Sequence, residues 1–327
     1  MLINIVFIIV GVALVLWGAD RLTEGASSLA RGMHVPEIVI GLTIVAAGTS
    51  APELFVSLVS AFKGTSDLAV GNVIGSNIFN TMLIVGCSAV VAPMVVAPST
   101  VKKDVPFAIG ASILLFLLCF DDMDSPHLWG NEISRSDGII LLVGFLIFMI
   151  YTFRSAKKEG LMPTPEELDE NSELPNDYSH LWRNLCFIIL GLACLIVGSN
   201  LFVEAASYIA HRWGIRQSVI GLTIVAGGTS LPELATSVVA AYKGRSAIAI
   251  GNVLGSNVFN ILLILGTTAV VHPLRIMGIT IVDLMAMLVS IGLLWLFAFT
   301  KYSVSRREGG VLILGFLVYM AWLLYLL

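Results

Sequence analysis

Residues 41–80 read GLTIVAAGTSAPELFVSLVSAFKGTSDLAVGNVIGSNIFN, and residues 221–260 repeat them without a gap as GLTIVAGGTSLPELATSVVAAYKGRSAIAIGNVLGSNVFN. The two copies are 180 residues apart and are identical at 27 of 40 positions. Weaker similarity extends in both directions, for example from Gly18 to Gly198 and from Pro93 to Pro273. An internal repeat of this kind predicts that the chain consists of two related halves.

The composition is that of a protein whose solvent is lipid. Of the 327 residues, 57% are hydrophobic and only 12% are charged, and the mean hydropathy is +0.94. Soluble domains carry about 25% charged residues. The deficit excludes a cytosolic enzyme and a disordered protein, and the missing basic block excludes a nucleic-acid binder. The four cysteines lie in apolar stretches without CxxC spacing, so we interpret them as buried apolar side chains.

Long apolar segments recur along the whole chain. A helix needs about 20 apolar residues to cross the hydrocarbon core of a bilayer. Ten segments meet this requirement, at approximately 3–30, 36–61, 67–92, 103–120, 137–153, 183–210, 216–241, 247–271, 278–300 and 309–326. The first is too long for a cleavable signal peptide and is interpreted as a permanent span. The sequence therefore predicts an all-α polytopic membrane protein with ten transmembrane helices.

The repeat divides these spans into five and five. Because five is odd, the second copy enters the membrane from the opposite side, which gives two inverted five-helix repeats. We predict the first repeat at residues 1–153, an acidic, proline-containing cytoplasmic linker at 154–182, and the second, inverted repeat at 183–327. Twelve Lys and Arg residues fall on one predicted face and five on the other. The positive-inside rule then predicts a multi-pass protein of the cell (inner) membrane with both termini outside.

Each copy of the repeat contains Gly-Thr-Ser-x-Pro-Glu in the middle of a span, ending at Glu53 and Glu233. Pro52 and Pro232 lack the N–H that would continue the helix ladder, so the helix breaks and frees backbone carbonyls. Such backbone is tolerated at membrane depth only against protein or a water-filled cavity. A carboxylate there is a functional-site candidate with a partner. Neither glutamate has a mid-membrane Lys or Arg at an equivalent position in its own repeat, so the predicted partner is a transported cation.

Each copy then continues with Gly-Asn-Val-x-Gly-Ser-Asn-x-Phe-Asn. Ser76 and Asn80 are four residues apart and share one helix face, as do Ser256 and Asn260. With the first motif, they predict a site built from carboxylate, hydroxyl, carboxamide and backbone carbonyl oxygens. Hydrogen bonding between helices is an open alternative for four further residues: Asn72, Asn77, Asn252 and Asn257.

A site that contains only oxygen ligands favours hard cations such as Ca²⁺, Na⁺ or Mg²⁺ over zinc and copper. Ca²⁺ accepts 6–8 oxygen ligands in flexible geometry, whereas Mg²⁺ requires a tight octahedron and retains its waters. Two glutamates neutralise one Ca²⁺, so Ca²⁺ is the favoured ion. Na⁺ could occupy parts of the same oxygen cluster, which would give exclusive occupancy and exchange.

These features favour a secondary transporter. A duplicated scaffold would retain its packing positions, whereas the identities between the copies are concentrated on polar, Gly and Pro residues. Na⁺/Ca²⁺ antiport is the leading hypothesis, and H⁺/Ca²⁺ exchange stays open because buried carboxylates can also carry protons. A cation channel would use rings of ligands around an oligomeric axis. Intramembrane hydrolysis would need a Ser–His, paired-Asp or metal-ligand constellation that the sequence lacks.

At these motifs the sequence resembles the cation/calcium antiporter superfamily, and most closely the prokaryotic Na⁺/Ca²⁺ exchangers. The resemblance implies that Glu53 and Glu233 bind both Ca²⁺ and Na⁺. It also implies electrogenic exchange of three inward Na⁺ for one outward Ca²⁺ without a cofactor, with spans one and six sliding across the rest. The further ligands that it implies are the hydroxyls of Ser50, Ser76, Ser230 and Ser256, the backbone carbonyls of Ala46, Thr49, Ala226 and Thr229, and the side chain of Asn80.

Asn260 departs from part of this family, because some relatives, including K⁺-dependent exchangers, have Asp at this position. K⁺ co-transport is therefore not expected, and the charge of the site stays near −2. Asn260 remains a candidate ligand. The roles of Glu24, Glu204 and Asp283 stay open, and beyond the two ions and the lipid bilayer the sequence indicates no protein partner.

Overall fold

The computed structural model describes residues 2–32, 35–119, 132–158, 178–214, 226–276 and 278–326, and it is mostly helical, as predicted. The helices are α1 (Leu2–Gly32), α2 (Glu37–Thr49), α3 (Ala51–Phe62), α4 (Ser66–Val91), α5 (Val105–Leu118), α6 (Arg135–Lys158), α7 (Tyr178–Arg212), α8 (Ala226–Thr229), α9 (Leu231–Tyr242), α10 (Ser246–Val271), α11 (Ile281–Lys301) and α12 (Arg306–Leu326). The strands are β1 (Met94–Val95), β2 (Glu132–Ile133), β3 (Leu274–Arg275) and β4 (Ser303–Val304).

Seven of the described helices are each long and apolar enough to cross a membrane: α1, α4, α6, α7, α10, α11 and α12. Helices α2 and α3, which are bent by 45° relative to each other, form an eighth span when they are counted together. The chain is therefore a multi-pass membrane protein. Helix α5 has 14 α-helical residues and directly follows a π-helical turn, Thr100–Asp104, that contains three charged residues. Helix α8 adjoins residues that lie outside the described part. The total of ten spans therefore stays a prediction.

The two predicted helix breaks occur at equivalent serines. Ser50 separates α2 from α3 with φ −83° and ψ 5°, and Ser230 separates α8 from α9 with φ −91° and ψ 7°. Pro52 and Pro232 lie in the first turn of the helix that follows, where a missing N–H leaves no hydrogen bond unmade. The proline therefore starts a new helix in a new direction, and the glutamate after it lies in the first turn of that helix.

Several helices contain a π-helical turn that the sequence analysis did not predict. The turns Phe79–Ile84 in α4 and Phe259–Leu265 in α10 occupy equivalent places in the two halves. A π turn widens the helix locally, and such turns are frequent at functional sites. Here each one includes the last asparagine of the second motif, Asn80 or Asn260, so the turn affects the direction in which that side chain points.

The helices that carry the second motif form the centre of the molecule. In their most apolar stretch, 72% of α4 and 94% of α10 is buried, compared with 22% of α1 and 28% of α7. Polar motif residues on α4 and α10 are thus surrounded by protein, whereas α1 and α7 lie at the periphery. Helices α6 and α12, with 28% and 11% buried, are peripheral as well. This arrangement separates a central site from four peripheral helices.

Helices α1 and α7 pack against each other along glycines spaced seven residues apart. A Cβ atom built on Gly11 would lie 2.7 Å from the carbonyl oxygen of Gly198, and one built on Gly18 would lie 2.7 Å from that of Gly191. The pairing runs antiparallel, because the residue number rises on one helix as it falls on the other. Small residues allow such close backbone approach between membrane helices. The two helices therefore form a tightly packed pair.

Two short β-ribbons join the halves of the chain. Strand β1 pairs with β4 and β2 pairs with β3, both antiparallel. Met94 lies opposite Val304, and Ile133 lies opposite Leu274. By the repeat offset of 180 residues, Met94 corresponds to Leu274. Each ribbon thus contains one strand from each half, so the halves are intertwined.

Asp283, whose role was left open, forms a capping box at the start of α11 together with the N-cap residue Thr280. Its carboxylate accepts hydrogen bonds from the backbone N–H of Thr280 at 2.8 Å and from the Thr280 hydroxyl at 2.7 Å. The Tyr319 hydroxyl on α12 donates to its other oxygen at 2.8 Å. A capping box of this kind satisfies backbone donors that a helix start leaves without partners. These contacts assign a structural role to Asp283.

Candidate cation-binding site

The two predicted glutamates meet between the two helix breaks. Glu53 and Glu233 are each only 1% exposed. The Ser50 hydroxyl donates a hydrogen bond to Oε1 of Glu233 at 3.2 Å, and the Ser230 hydroxyl donates to Oε1 of Glu53 at the same distance. Each serine therefore contacts the carboxylate of the other half. The two carboxylates are close enough to repel each other electrostatically, which a bound cation would relieve.

The threonines of the first motif extend this crossed arrangement. The side chain of Thr49 interacts with Glu233, and that of Thr229 interacts with Glu53. The Thr49 hydroxyl also lies 3.1 Å from the carbonyl oxygen of Val45 and 3.1 Å from Oδ1 of Asn252. The structure therefore brings both threonines to the glutamate pair, although the resemblance implied a role for their backbone carbonyls.

Five buried oxygen atoms in this region have no hydrogen-bond partner within the described part of the chain. They are Oε2 of Glu53 and of Glu233, Oδ1 of Asn80 and of Asn260, and the hydroxyl oxygen of Ser256. Leaving a buried polar atom without a partner costs about 1–3 kcal/mol. All five can donate a lone pair, so one hard cation could satisfy several of them at once. The residues present therefore fit a cation.

Hydrogen bonds to neighbouring asparagines orient the carboxamides of Asn80 and Asn260. The Asn80 amide nitrogen donates to Oδ1 of Asn257 at 3.2 Å, and the Asn260 amide nitrogen donates to Oδ1 of Asn77 at 3.1 Å. Asn257 in turn donates to the Thr81 hydroxyl at 2.8 Å. Because the amide nitrogens of Asn80 and Asn260 are already hydrogen-bonded, the oxygens of the two carboxamides are available to bind a cation. Asn77 and Asn257 therefore act as hydrogen-bond partners of Asn260 and Asn80.

Asn72 and Asn252 support the backbone at the glutamates. The Asn72 amide donates to the carbonyl of Glu53 at 3.3 Å and to the Ser57 hydroxyl at 3.2 Å. The Asn252 amide makes the equivalent contacts, to the carbonyl of Glu233 at 3.4 Å and to Ser237 at 3.0 Å. For these two residues the contacts favour hydrogen bonding between helices, the alternative that the sequence left open.

Ser76 joins the site directly, since the Ser230 hydroxyl lies 3.3 Å from its own hydroxyl. The carbonyl of Ala46 accepts the backbone N–H of Ser50 at 3.0 Å, so it is partly engaged within the chain. Ala226 begins α8. All twelve predicted site residues lie within the described part of the chain.

The sequence analysis missed Ser199. Its hydroxyl on α7 donates a hydrogen bond to the carbonyl of Gly228, one of the carbonyls that the break frees. That carbonyl is therefore bound by a neighbouring helix, where the sequence analysis expected a freed carbonyl able to point into a cavity. The equivalent residue in the first half is Ala19, which cannot donate. Only this comparison of the two halves could have drawn attention to Ser199.

The burial of the site differs between its two sides. Thr49 and Asn252 are fully buried, whereas their repeat equivalents Thr229 and Asn72 are half-buried. Asn72 lies in the part of α4 that begins at Ser66. The site is therefore more open toward the membrane face at which α4 begins than toward the opposite face.

Two other acidic residues with open roles make no described contact with these glutamates. Glu24 on α1 accepts a hydrogen bond from Arg21 at 2.9 Å. Glu204 on α7 is exposed. Within the described residues, no cluster of three or more His, Cys, Asp or Glu side chains is arranged to hold a metal ion. The negative charge of the candidate site therefore comes from Glu53 and Glu233.

Comparison with known proteins agrees with this architecture. A family model described as sodium/calcium exchanger protein matches residues 3–154 and 183–325. The protein named "Putative antiporter CaxA" from Alkalimonas amylolytica is 38% identical over 326 residues, which covers 98% of each chain. The sodium/calcium exchanger MaX1 from Methanosarcina acetivorans is 31% identical and covers 99% of each chain.

The solved structure of the sodium-calcium exchanger NCX_Mj, soaked with 10 mM Na⁺ and no Ca²⁺, also matches this chain. It superposes with a TM-score of 0.84 and 28% sequence identity, over 98% of this chain and 99% of that one. The match extends over nearly the whole length, so it includes both helix breaks and the helices that surround them. The chain therefore belongs to the sodium/calcium exchanger family and is a multi-pass membrane antiporter of the cation/Ca²⁺ type.

Proposed function

We propose that the protein exchanges inward Na⁺ for outward Ca²⁺ by alternating access at the site between Glu53 and Glu233. The observation that carries the proposal is the crossed contact of each serine with the opposite glutamate, next to five buried oxygens that lack partners. A site with two carboxylates and no other described acidic ligand matches the charge of Ca²⁺. The names of the relatives support the same pair of ions.

The proposed ligands comprise both carboxylates together with hydroxyl, carboxamide and carbonyl oxygens. They are Glu53 and Glu233, the hydroxyls of Ser50, Ser76, Ser230 and Ser256, the carboxamides of Asn80 and Asn260, and the backbone carbonyls of Ala46, Thr49, Ala226 and Thr229. Without a cation, the hydroxyls of Ser50 and Ser230 donate to the carboxylates. When a cation binds, these hydroxyls would turn their lone pairs toward it.

Exchange follows because Ca²⁺ and Na⁺ would use the same two carboxylates, those of Glu53 and Glu233. A Ca²⁺ ion requires both glutamates for charge balance, whereas Na⁺ ions would use the same carboxylate oxygens together with the serine hydroxyls. Occupancy by Na⁺ therefore removes the ligands that Ca²⁺ needs, and the reverse also holds. With three Na⁺ for each Ca²⁺, one net charge would move in each cycle.

Alternating access would be performed by two inverted repeats of five helices at residues 1–153 and 183–327, joined by a cytoplasmic linker at 154–182. Two observations support this division: each β-ribbon contains one strand from each half, and the helix breaks occur at the equivalent residues Ser50 and Ser230. We propose that α1 and α7, packed through their glycines and peripheral to the core, move together. The distribution of Lys and Arg supports termini on the outside of the cell membrane.

The test is uptake of radioactive ⁴⁵Ca²⁺ into proteoliposomes that are loaded with Na⁺ and diluted into Na⁺-free buffer. Choline-loaded vesicles at the same pH provide the control for the coupling ion. The variants Glu53→Gln and Glu233→Gln remove one charge each, and Glu132→Gln on β2 is the matched control outside the site. We expect uptake that requires internal Na⁺, is lost in both site variants and is retained in Glu132→Gln.

Two other results would assign different functions. Uptake that ignores Na⁺ but follows an imposed pH gradient would make H⁺ the coupling ion, since buried carboxylates can carry protons. A Na⁺-independent, ohmic current would indicate a channel. Either result would contradict the proposed Na⁺/Ca²⁺ exchange.

A further inference from the structure

An apolar cavity of about 330 Å³ lies between helix α1 and the helices that surround the site. Its volume is at the lower end of the about 300–1,000 Å³ typical of small-molecule sites. The lining residues come from α1, α4, α7 and α9 and are all apolar apart from one thiol: Val12, Val15, Leu16, Cys87, Phe202, Leu231, Leu234, Ala235, Val238 and Val239.

The cavity extends from the surface of the protein to its interior. Val12 and Leu16 on α1 are 41% and 54% exposed, and they belong to a helix that is long and apolar enough to span the membrane. Val15 and Ala235 are buried. The cavity is therefore continuous at its outer end with the lipid-facing surface of α1.

The inner wall of the cavity belongs to the helix that carries Glu233. Five of the lining residues lie on α9. Leu231 follows Ser230 directly, and Leu234 follows Glu233 directly. The same turn of α9 thus presents a carboxylate to the cation site and leucine side chains to the cavity. An occupant of the cavity would pack between α1 and this turn.

The chemistry of the lining restricts the occupant. An ordered water needs two to four polar partners, and apolar cavities stay dry. An empty space of this size would leave its lining without packing partners. The apolar molecules that reach a cavity open to the lipid-facing surface are the acyl chains of the bilayer. We propose that this cavity is a binding site for one phospholipid acyl chain, which packs between α1 and α9.

The proposal depends on the protein being in a membrane and does not require the proposed ion exchange. Its consequence for transport does rest on that function: an acyl chain between α1 and α9 would influence the movement of α1 relative to the helix that carries Glu233. Binding and transport are therefore tested separately.

The binding test uses a phosphatidylcholine that carries a photoactivatable diazirine near the end of one acyl chain. The full chain is reconstituted with this lipid and illuminated, and mass spectrometry locates the crosslinked residues. We expect crosslinks on α9 at Leu234 and Val238. The variants Ala235→Phe on α9 and Cys87→Phe on α4 each place a larger side chain in the lining of the cavity and should each reduce these crosslinks at least fivefold. The control Leu314→Phe, on the exposed surface of α12, should leave them unchanged.

Crosslinking at other lipid-facing residues, such as Ile139 and Leu317, provides an internal standard because both are more than half exposed. Label at these two residues without label on α9 would overturn the proposal. So would α9 label that persists in both filling variants. If one variant fails to elute as a monodisperse protein, the other still decides. These outcomes do not involve transport, so a negative result here is distinct from failure of the ion exchange.

Discussion

The ammonium nitrogen Nζ of Lys243, in the turn between α9 and α10, lies 2.5 Å from Oδ1 of Asp20 on α1. A second ion pair joins the same turn to the start of α2, because Arg245 lies 3.0 Å from Glu37. The Glu37 carboxylate also accepts a hydrogen bond from Ser27 on α1. The turn at Lys243 and Arg245 is thus connected to both of the first two helices.

These ion pairs have no equivalent in the sequence of the other half. The positions that correspond to Asp20 and Arg245 are occupied by Asn200 and Thr65. The turn that contains Lys243 and Arg245 lies where α10 begins. This is the membrane face toward which the candidate site is more deeply buried. We therefore expect the two pairs to favour the conformation in which the site is closed on that side, which the charge distribution predicts to be the cytoplasm.

The first prediction concerns these pairs. An exposed ion pair contributes about 0.2–1 kcal/mol, so Asp20→Asn or Lys243→Gln should increase opening on that side by up to about fivefold. Hydrogen exchange of the backbone amides of α9 measures the opening. The effects should not add in the double variant, because both single variants remove the pair between Asp20 and Lys243; Asp20→Asn also removes the longer pair with Arg21 at 3.8 Å. Arg275→Gln, which breaks the ribbon pair with Glu132, is the control, and an equal effect there would contradict the interpretation.

The second prediction concerns the crossed serines. Ser50→Ala and Ser230→Ala each remove one proposed ligand and the hydrogen bond to the opposite glutamate. We expect the Ca²⁺ concentration for half-maximal uptake to rise about tenfold in each, which corresponds to about 1.4 kcal/mol. Ser88→Ala, at another buried serine outside the proposed ligand set, should leave this value unchanged. Equal behaviour of all three variants would remove the serines from the site.

The third prediction concerns the orientation of Asn80. Asn257→Leu removes the acceptor that engages the Asn80 amide nitrogen, so the carboxamide can turn its nitrogen toward the cation. We expect weaker Ca²⁺ binding by isothermal titration calorimetry in this variant. Adding Asn80→Ala to it should then have a smaller effect than Asn80→Ala alone. Additive effects of the two substitutions would mean that Asn257 does not act through Asn80.

The fourth prediction concerns charge movement. Exchange of three internal Na⁺ for one external Ca²⁺ removes one net positive charge from a vesicle. A potential of 100 mV acts on one charge with about 2.3 kcal/mol, so the steady-state Ca²⁺ ratio should change about tenfold for about 60 mV. An inside-positive potential, set with valinomycin and external K⁺, should increase Ca²⁺ accumulation. Accumulation that is independent of potential would indicate electroneutral exchange.

The fifth prediction concerns the glycine contacts through which α1 and α7 pack against each other. Gly18→Val places methyl groups where a Cβ would already lie 2.7 Å from a backbone oxygen. Overpacking of this kind costs about 1–3 kcal/mol, so the thermal unfolding temperature in detergent should fall by several degrees. Gly110→Val on α5, where no described atom outside the helix's own backbone lies within 4 Å of the new Cβ, is the matched control and should not lower it. A fall in both variants would show a general effect of replacing helical glycines.

Much of the fold could be predicted from the sequence because its causes are local. The length of the apolar segments and the chemistry of Pro52 and Pro232 predicted the breaks, which occur at Ser50 and Ser230. The repeat and the cost of a buried carboxylate identified Glu53 and Glu233 as site candidates. None of these inferences requires knowledge of which helix packs against which.

Other features depend on contacts between segments that are distant in the sequence, and only the tertiary structure decided them. These include the pairing of each serine with the opposite glutamate, the exchange of strands between the ribbons, and the hydrogen bond from Ser199 to the carbonyl of Gly228. A serine or an asparagine has several possible partners within reach of its helix face. Which partner it finds depends on how the two halves pack together, and a pattern within one half carries no information about that packing.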